Sequence, residues 1–148
     1  MYITRVLLPL ISLPFLALGQ NLSSTNGIGS TPQERHFVTA QQAQTIIAAA
    51  AANATAIQIP QNIAVVDPSG LLVAFLRQDN AYIGSIDISM KKARTAVLFN
   101  GLSSGGLFPI YLNGYLIGGV GVSGGTVSQD EEVATAGVLG LGALTSAS

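Results

Sequence analysis

Apolar positions along this chain switch between helical spacing and short strand-length runs, and the switches mark out the elements. Ala43, Ile46, Ile47, Ala50, Ala54 and Ile57 recur at three- and four-residue steps, the signature of one buried helix face. Thr39 with Gln42 three residues later matches a capping box, the threonine accepting from the backbone and the glutamine reaching back. The pattern predicts a helix over 40–57, ended by Pro60, with five consecutive alanines at 48–52 suited to close packing against a sheet. Ile63–Val66 and Leu71–Leu76 are apolar runs of strand length, and Asp67-Pro68-Ser69-Gly70 between them carries turn chemistry. Together they predict a hairpin.

A second helix is expected over 84–99. Ile86, Met90, Ala93 and Val97 form one apolar face, while Asp87, Lys91 and Arg94 share a charged one, with Asp87 and Lys91 an i,i+4 pair. A third stripe, Ile88, Lys92, Ala96 and Phe99, sets Lys92 among apolar neighbours, as a snorkelling side chain or as a ligand contact. After the loop Asn100–Gly106, Phe108–Leu112 and Tyr115–Val122 flank Asn113-Gly114, a type I′ turn signal. Ser128 with Glu131 reads as another capping box, opening a last helix from about 129 to 143. Gly137, Gly140 and Gly142 each weaken that helix by about 1 kcal/mol relative to alanine, a cost tolerable where a helix lies against another backbone. Helix, hairpin, helix, hairpin, helix predicts an α+β domain over 37–145, with a mainly antiparallel sheet of four or five strands and three helices.

What precedes the first helix has another character. Arg5 is followed by the apolar run Val6–Leu18, too short at 13 residues for a bilayer span of roughly 20. It ends in Ala17-Leu18-Gly19, a small-x-small pattern. Residues 1–19 read as a secretory signal peptide and 20–36 as a polar, flexible leader with a glycosylation sequon at Asn21. The expected product is secreted, extracellular and free of the membrane once cleaved.

Charged residues make up 9% of the chain, against roughly 25% in ordinary soluble domains, and mean hydropathy is +0.52. A small domain this poor in charge would expose much apolar surface as a monomer, so a homo-oligomer is expected. Without the signal peptide, five basic residues face seven acidic ones, which argues against a nucleic-acid partner. There is no cysteine and a single histidine, so a structural metal site within one chain is not expected.

Two motifs tempt and fail. Gly119-Val120-Gly121-Val122-Ser123-Gly124 spells GxGxxG, but the acids that follow, Asp130, Glu131 and Glu132, would repel a pyrophosphate. Gly121–Gly125 spells GxSxG, yet His36 lies upstream rather than after an acid, as a hydrolase elbow requires. A glycine-rich strand end approached by another backbone or a flat ligand fits better. Haem asks for one axial ligand, an apolar slot and cations near the propionates. His36, Tyr82, Tyr111, Tyr115 and Met90 are candidate ligands, and Arg35, Arg77, Lys92 and Arg94 candidate propionate partners.

Three stretches together resemble the GlcG/HbpS family: Asn62–Asp79 (NIAVVDPSGLLVAFLRQD), Lys92–Ala96 (KARTA) and Pro109–Glu132 (PIYLNGYLIGGVGVSGGTVSQDEE). The resemblance implies a three-layer domain assembling into dimers and larger rings, with haem binding in some members. It also carries over Asp79, Lys92, Thr95, Ser123, Gly124, Gly125 and Asp130 as positions of interest. Asn80 replaces the family's usual glycine, and the connection over 97–107 is shorter than the family's. The leading expectation is a secreted, oligomeric protein binding a small organic ligand, haem first, through His36, Arg77, Lys92, Thr95, Ser123, Gly124 and Gly125. Two alternatives stay open: an enzyme on a small carbonyl or hydroxy-acid compound with Lys92, Asp79 and Asp130 as acid and base, and a structural protein that has lost the pocket.

Overall fold

The computed structural model describes residues 36–99 and 105–146. The expected signal peptide and leader, up to residue 35 and with Asn21 and Arg35, and positions 100–104 of the short connection lie outside them. Three helices and four strands follow in the order α1 (Ala40–Ala56), β1 (Asn62–Val66), β2 (Leu72–Arg77), α2 (Ser85–Leu98), β3 (Leu107–Leu112), β4 (Tyr115–Ser123) and α3 (Val127–Gly140). The strands form one antiparallel sheet in the order β2-β1-β4-β3. The fold is the expected α+β arrangement with four strands.

Local signals place the element ends. Thr39 Oγ1 accepts from the Gln42 amide at 3.2 Å while the Gln42 side chain accepts from the Thr39 amide at 2.9 Å. Asp67 Oδ1 accepts from the amides of Ser69 and Leu71, closing the first hairpin around Gly70 at φ +77°. Asn113 and Gly114 have φ of +52° and +80°, the left-handed pair that a type I′ turn demands.

Strand alternation sorts the core into two faces. Ile63, Val65, Val120 and Val122 meet Ala43, Ile46, Ala50 and Ala54 of α1 and Val133, Ala134 and Val138 of α3. On the opposite face Ala64 and Val66 meet Ala93 of α2, flanked by Phe75, Met90 and Val97. The alanine run therefore serves mainly a helix contact: a Cβ on Gly137 would touch Ala50 Cβ at 3.1 Å and the Ile46 carbonyl at 3.0 Å. Gly142 lies beyond α3, with φ +75°.

Two expectations are corrected. The buried seam of α2 is Ser85, Ser89, Ala93 and Ala96, between the two apolar stripes. Its small residues press on Gly119 and Gly121 of β4, where a Cβ would run into the backbone of Ala93 and of Ser89. The larger Ile86, Met90 and Val97 sit at the edges of this contact, half-buried. The cap of α3 is Thr126 with Gln129, not Ser128 with Glu131, so the helix begins two residues earlier. Glu131 is used elsewhere, accepting from the Gly105 amide at 2.7 Å.

Candidate functional site

One end of the sheet gathers most of the singled-out residues. Asn62 opens β1 there, opposite Ser123 of β4 on one side and Arg77 of β2 on the other. The close approach of α2 to β4 carries Lys92 to the same end. Its Nζ donates to the Val122 carbonyl at 2.8 Å and to Asp130 Oδ2 at 2.7 Å. The two side chains are 19% and 5% exposed, which makes this an internal ion pair. Asp130 Oδ1 accepts from the Gly125 amide at 2.9 Å, and the carboxylate stands in the first turn of α3, where the helix dipole favours it.

Glycine backbone closes over the pair. Gly106, at φ +77°, lies so near Asp130 that an added Cβ would be 2.9 Å from its carbonyl carbon, and the Gly106 carbonyl accepts from the Val122 amide at 2.7 Å. The described end of the short 97–107 connection is thus the wall of the Lys92–Asp130 enclosure. Ile88 and Phe99, expected to surround Lys92, are 44% and 68% exposed instead; β4, Gly125 and α3 do the enclosing.

The remaining candidates fall in different places. Asp79 does not pair with Lys92; together with Arg77, Gln78, Ile59, Pro60 and Leu76 it lines a groove of about 520 Å³ between the C-terminal end of α1 and the end of β2. The Thr95 hydroxyl donates to the Lys91 carbonyl of its own helix at 2.9 Å. Ser123 is buried at the end of β4. Gly124 and Gly125 pack on Gln61, whose amide atoms a Cβ would meet at 2.7 and 3.0 Å. This confirms the reading of a glycine-rich strand end approached by other chain. His36 stacks on Tyr115 with ring centroids 3.7 Å apart. Tyr115 begins β4 and Ser123 ends it, so His36 stands about 26 Å from the Lys92 end, at 3.3 Å per strand residue. The seven residues expected to hold one cofactor do not form one site. Tyr111 is buried, Tyr82 is 69% exposed and Met90 packs under the sheet.

The pattern of the sequence did not reveal Gln61. It is fully buried, and neither atom of its side-chain amide has a hydrogen-bond partner among the described residues. Gln61 and Asn62 interrupt no apolar period, since the apolar run Ile63–Val66 begins after them. Glu131 carried a signal, but for the wrong bond. Among the described residues no three His, Cys, Asp or Glu side chains gather as a metal site, and no helix is long and apolar enough to cross a membrane.

Comparison with known proteins places this arrangement. An uncharacterised 15.0 kDa protein from the dhaT-dhaS intergenic region of Citrobacter freundii is 35% identical over 128 residues, 69% of this chain and 90% of that protein. Klebsiella pneumoniae ORFY superposes with a TM-score of 0.71 at 31% identity, over 78% of this chain and 97% of that one. A PduOC structure solved as a haem complex has the same fold, with a TM-score of 0.70 at 24% identity over 74% of this chain and 99% of that one. The model of the family described as haem-degrading protein HbpS-like matches residues 38–139, a span that contains the whole sheet, the first two helices, all of α3 but its last residue, and the Lys92–Asp130 pair. The chain belongs to the HbpS-like family.

Proposed function

We propose that this protein binds a small organic ligand, haem, as a secreted homo-oligomer, and that Lys92 is not a general base. The observation that carries the second clause is the engagement of the Lys92 ammonium by Asp130 and by the Val122 carbonyl at once. A lysine that acts as a base must shed its proton and reach substrate. This one is bonded to a carboxylate and to a backbone carbonyl and is walled in by glycine backbone. Haem is favoured by the family's description and by the haem complex of a protein with the same fold.

The residues of one chain meet haem's needs in part. His36 has the right chemistry for an axial ligand and is exposed, with the Tyr115 ring against it and Phe37 also 47% exposed. Arg77 and Lys92 cannot serve the propionates of a haem held there, because they stand at the far end of the sheet. The haem reading therefore rests on the His36 end alone. Self-association is supported by Leu71, Tyr82, Ile83, Leu98 and Phe99, all more than 60% exposed, on a chain with 9% charged residues.

The test is a visible absorption titration with hemin on the native protein, His36→Ala and Arg77→Gln. A saturable Soret shift that is lost in His36→Ala and kept in Arg77→Gln is expected. No shift above that of an unrelated protein would remove haem as the ligand. Secretion is checked by the N-terminal sequence of the protein recovered from the medium, expected to begin near Gln20.

A further inference from the structure

We propose that the outer face of α2 binds a second copy of this chain, helix against antiparallel helix across a twofold axis. This rests on the self-association proposed above and gives it a surface. Asp87, Lys91, Arg94 and Leu98 follow at steps of four, three and four residues, one stripe along the helix. At about 100° per residue the stripe lies opposite the buried seam of Ser85, Ser89, Ala93 and Ala96, so it points away from the sheet. Ile83, in the turn that enters α2, and Leu98, its last residue, are 73% and 74% exposed. Asp87, Lys91 and Arg94 are exposed between them.

Turned end for end, this face complements itself. Asp87 and Arg94 stand equally far from a midpoint between Met90 and Lys91, and so do Ile83 and Leu98. An antiparallel copy therefore sets Asp87 against the partner's Arg94 twice, the two pairs about 10.5 Å apart at 1.5 Å rise per residue. It also closes each end with Ile83 on the partner's Leu98. A parallel copy would set like charges together. The side chains are poised for the antiparallel contact. Arg94 Nε donates to the Gly70 carbonyl at 3.1 Å, which steadies the guanidinium. Both of its terminal nitrogens are left without a bond to any described residue, open to a carboxylate. Asp87 Oδ2 holds Lys91 Nζ at 2.6 Å on its own helix. That bond draws the Lys91 ammonium away from the midpoint, where two copies of it would repel, and leaves Asp87 Oδ1 for the partner.

The experiment is sedimentation velocity over a concentration series on the native protein, Asp87→Arg, Arg94→Asp and the double variant carrying both changes. Each single change places like charges at both pairs and should weaken association at least tenfold. The double variant exchanges the two charges and should recover the wild-type constant to within about threefold. An equimolar mixture of the two single variants should also associate as the wild type does, because each supplies what the other lacks. Both positions are exposed, so all the variants should keep the native circular dichroism. A wild-type oligomer that both single changes leave intact would overturn this interface and leave self-association standing. Failure of both the double variant and the mixture to associate would likewise overturn the antiparallel pairing. A wild type that is monomeric at 100-micromolar concentration, on the order of the weakest affinities of specific complexes, would remove self-association and this interface together.

Discussion

Asp130→Ala should be the most damaging single change among the polar residues, and the structure sets its size. The wild-type carboxylate is 3% exposed as a residue, accepts from the Gly125 amide and pairs with Lys92 at 2.7 Å. Truncation removes a charge-assisted hydrogen bond at Gly125, worth about 1.5–3 kcal/mol in comparable settings, and strands the ammonium with the Val122 carbonyl alone. Breaking a buried pair from one side costs about 3–5 kcal/mol. Because Lys92 keeps 19% of its side-chain surface, some hydration can return, so the lower end, about 3 kcal/mol, is expected. Lys92→Met should cost less, about 2 kcal/mol, since Asp130 keeps the Gly125 amide and the α3 N-terminus.

The decisive quantity is the coupling. Urea unfolding followed by circular dichroism on the wild type, Asp130→Ala, Lys92→Met and the double variant gives the four corners of the cycle. The double variant should be roughly as stable as Asp130→Ala, giving a coupling near 2 kcal/mol, because the methionine no longer leaves a charge unpaired. Additivity within about 0.5 kcal/mol would refute the internal pair. So would a loss below about 1 kcal/mol in Asp130→Ala, the range of exposed pairs. The Asp87–Lys91 pair, 64% and 70% exposed, is the built-in control and should show coupling of about 0.3–0.5 kcal/mol.

Two further changes test the packing. Gly121→Ala places a Cβ against the Ser89 carbonyl, the Ala93 amide and Lys92 Cβ, and should lower stability by about 3 kcal/mol in thermal unfolding; a loss under 1 kcal/mol would contradict the close approach of α2. Thr126→Ala should cost about 1 kcal/mol through the lost cap, while Ser128→Ala stays within about 0.5 kcal/mol; the reverse order would restore the later helix start.

The parts of this fold that could be read from the sequence are those decided by neighbours in the chain. The Thr39 cap, the Asp67 turn and the Asn113-Gly114 turn each depend on four or five consecutive residues, and each appears as expected. The start of α3 was ambiguous because Thr126–Gln129 and Ser128–Glu131 satisfy the same pattern. The choice falls to Gly105, whose amide takes the Glu131 carboxylate from 26 residues away. The buried face of α2 was hidden for a similar reason. Periodicity shows where large apolar residues lie, but not that β4 presents Gly119 and Gly121, surfaces that only small side chains can meet at close range. Lys92 and Asp130 were visible as residues, and their pairing, across 38 positions, was one of two options until Asp79 proved to face the groove. Residue type also nominated His36 and Arg77 for one cofactor, although β4 holds them at opposite ends.

These observations bear on what Lys92 is for. A lysine in the K-A-x-T-A stretch invites a catalytic reading, yet its place follows from packing. Small residues on α2 and glycines on β4 bring the helix down until the ammonium reaches the last carbonyls of the strand. At that depth a lone cation would be expensive, and Asp130 offsets the cost while its second oxygen fixes the Gly124-Gly125 turn. The pair thus links α2, β4 and α3 at the point where the strand gives way to the helix. Its chemistry is spent on holding that junction, while the His36 ring stacks on Tyr115 at the other end of the strand.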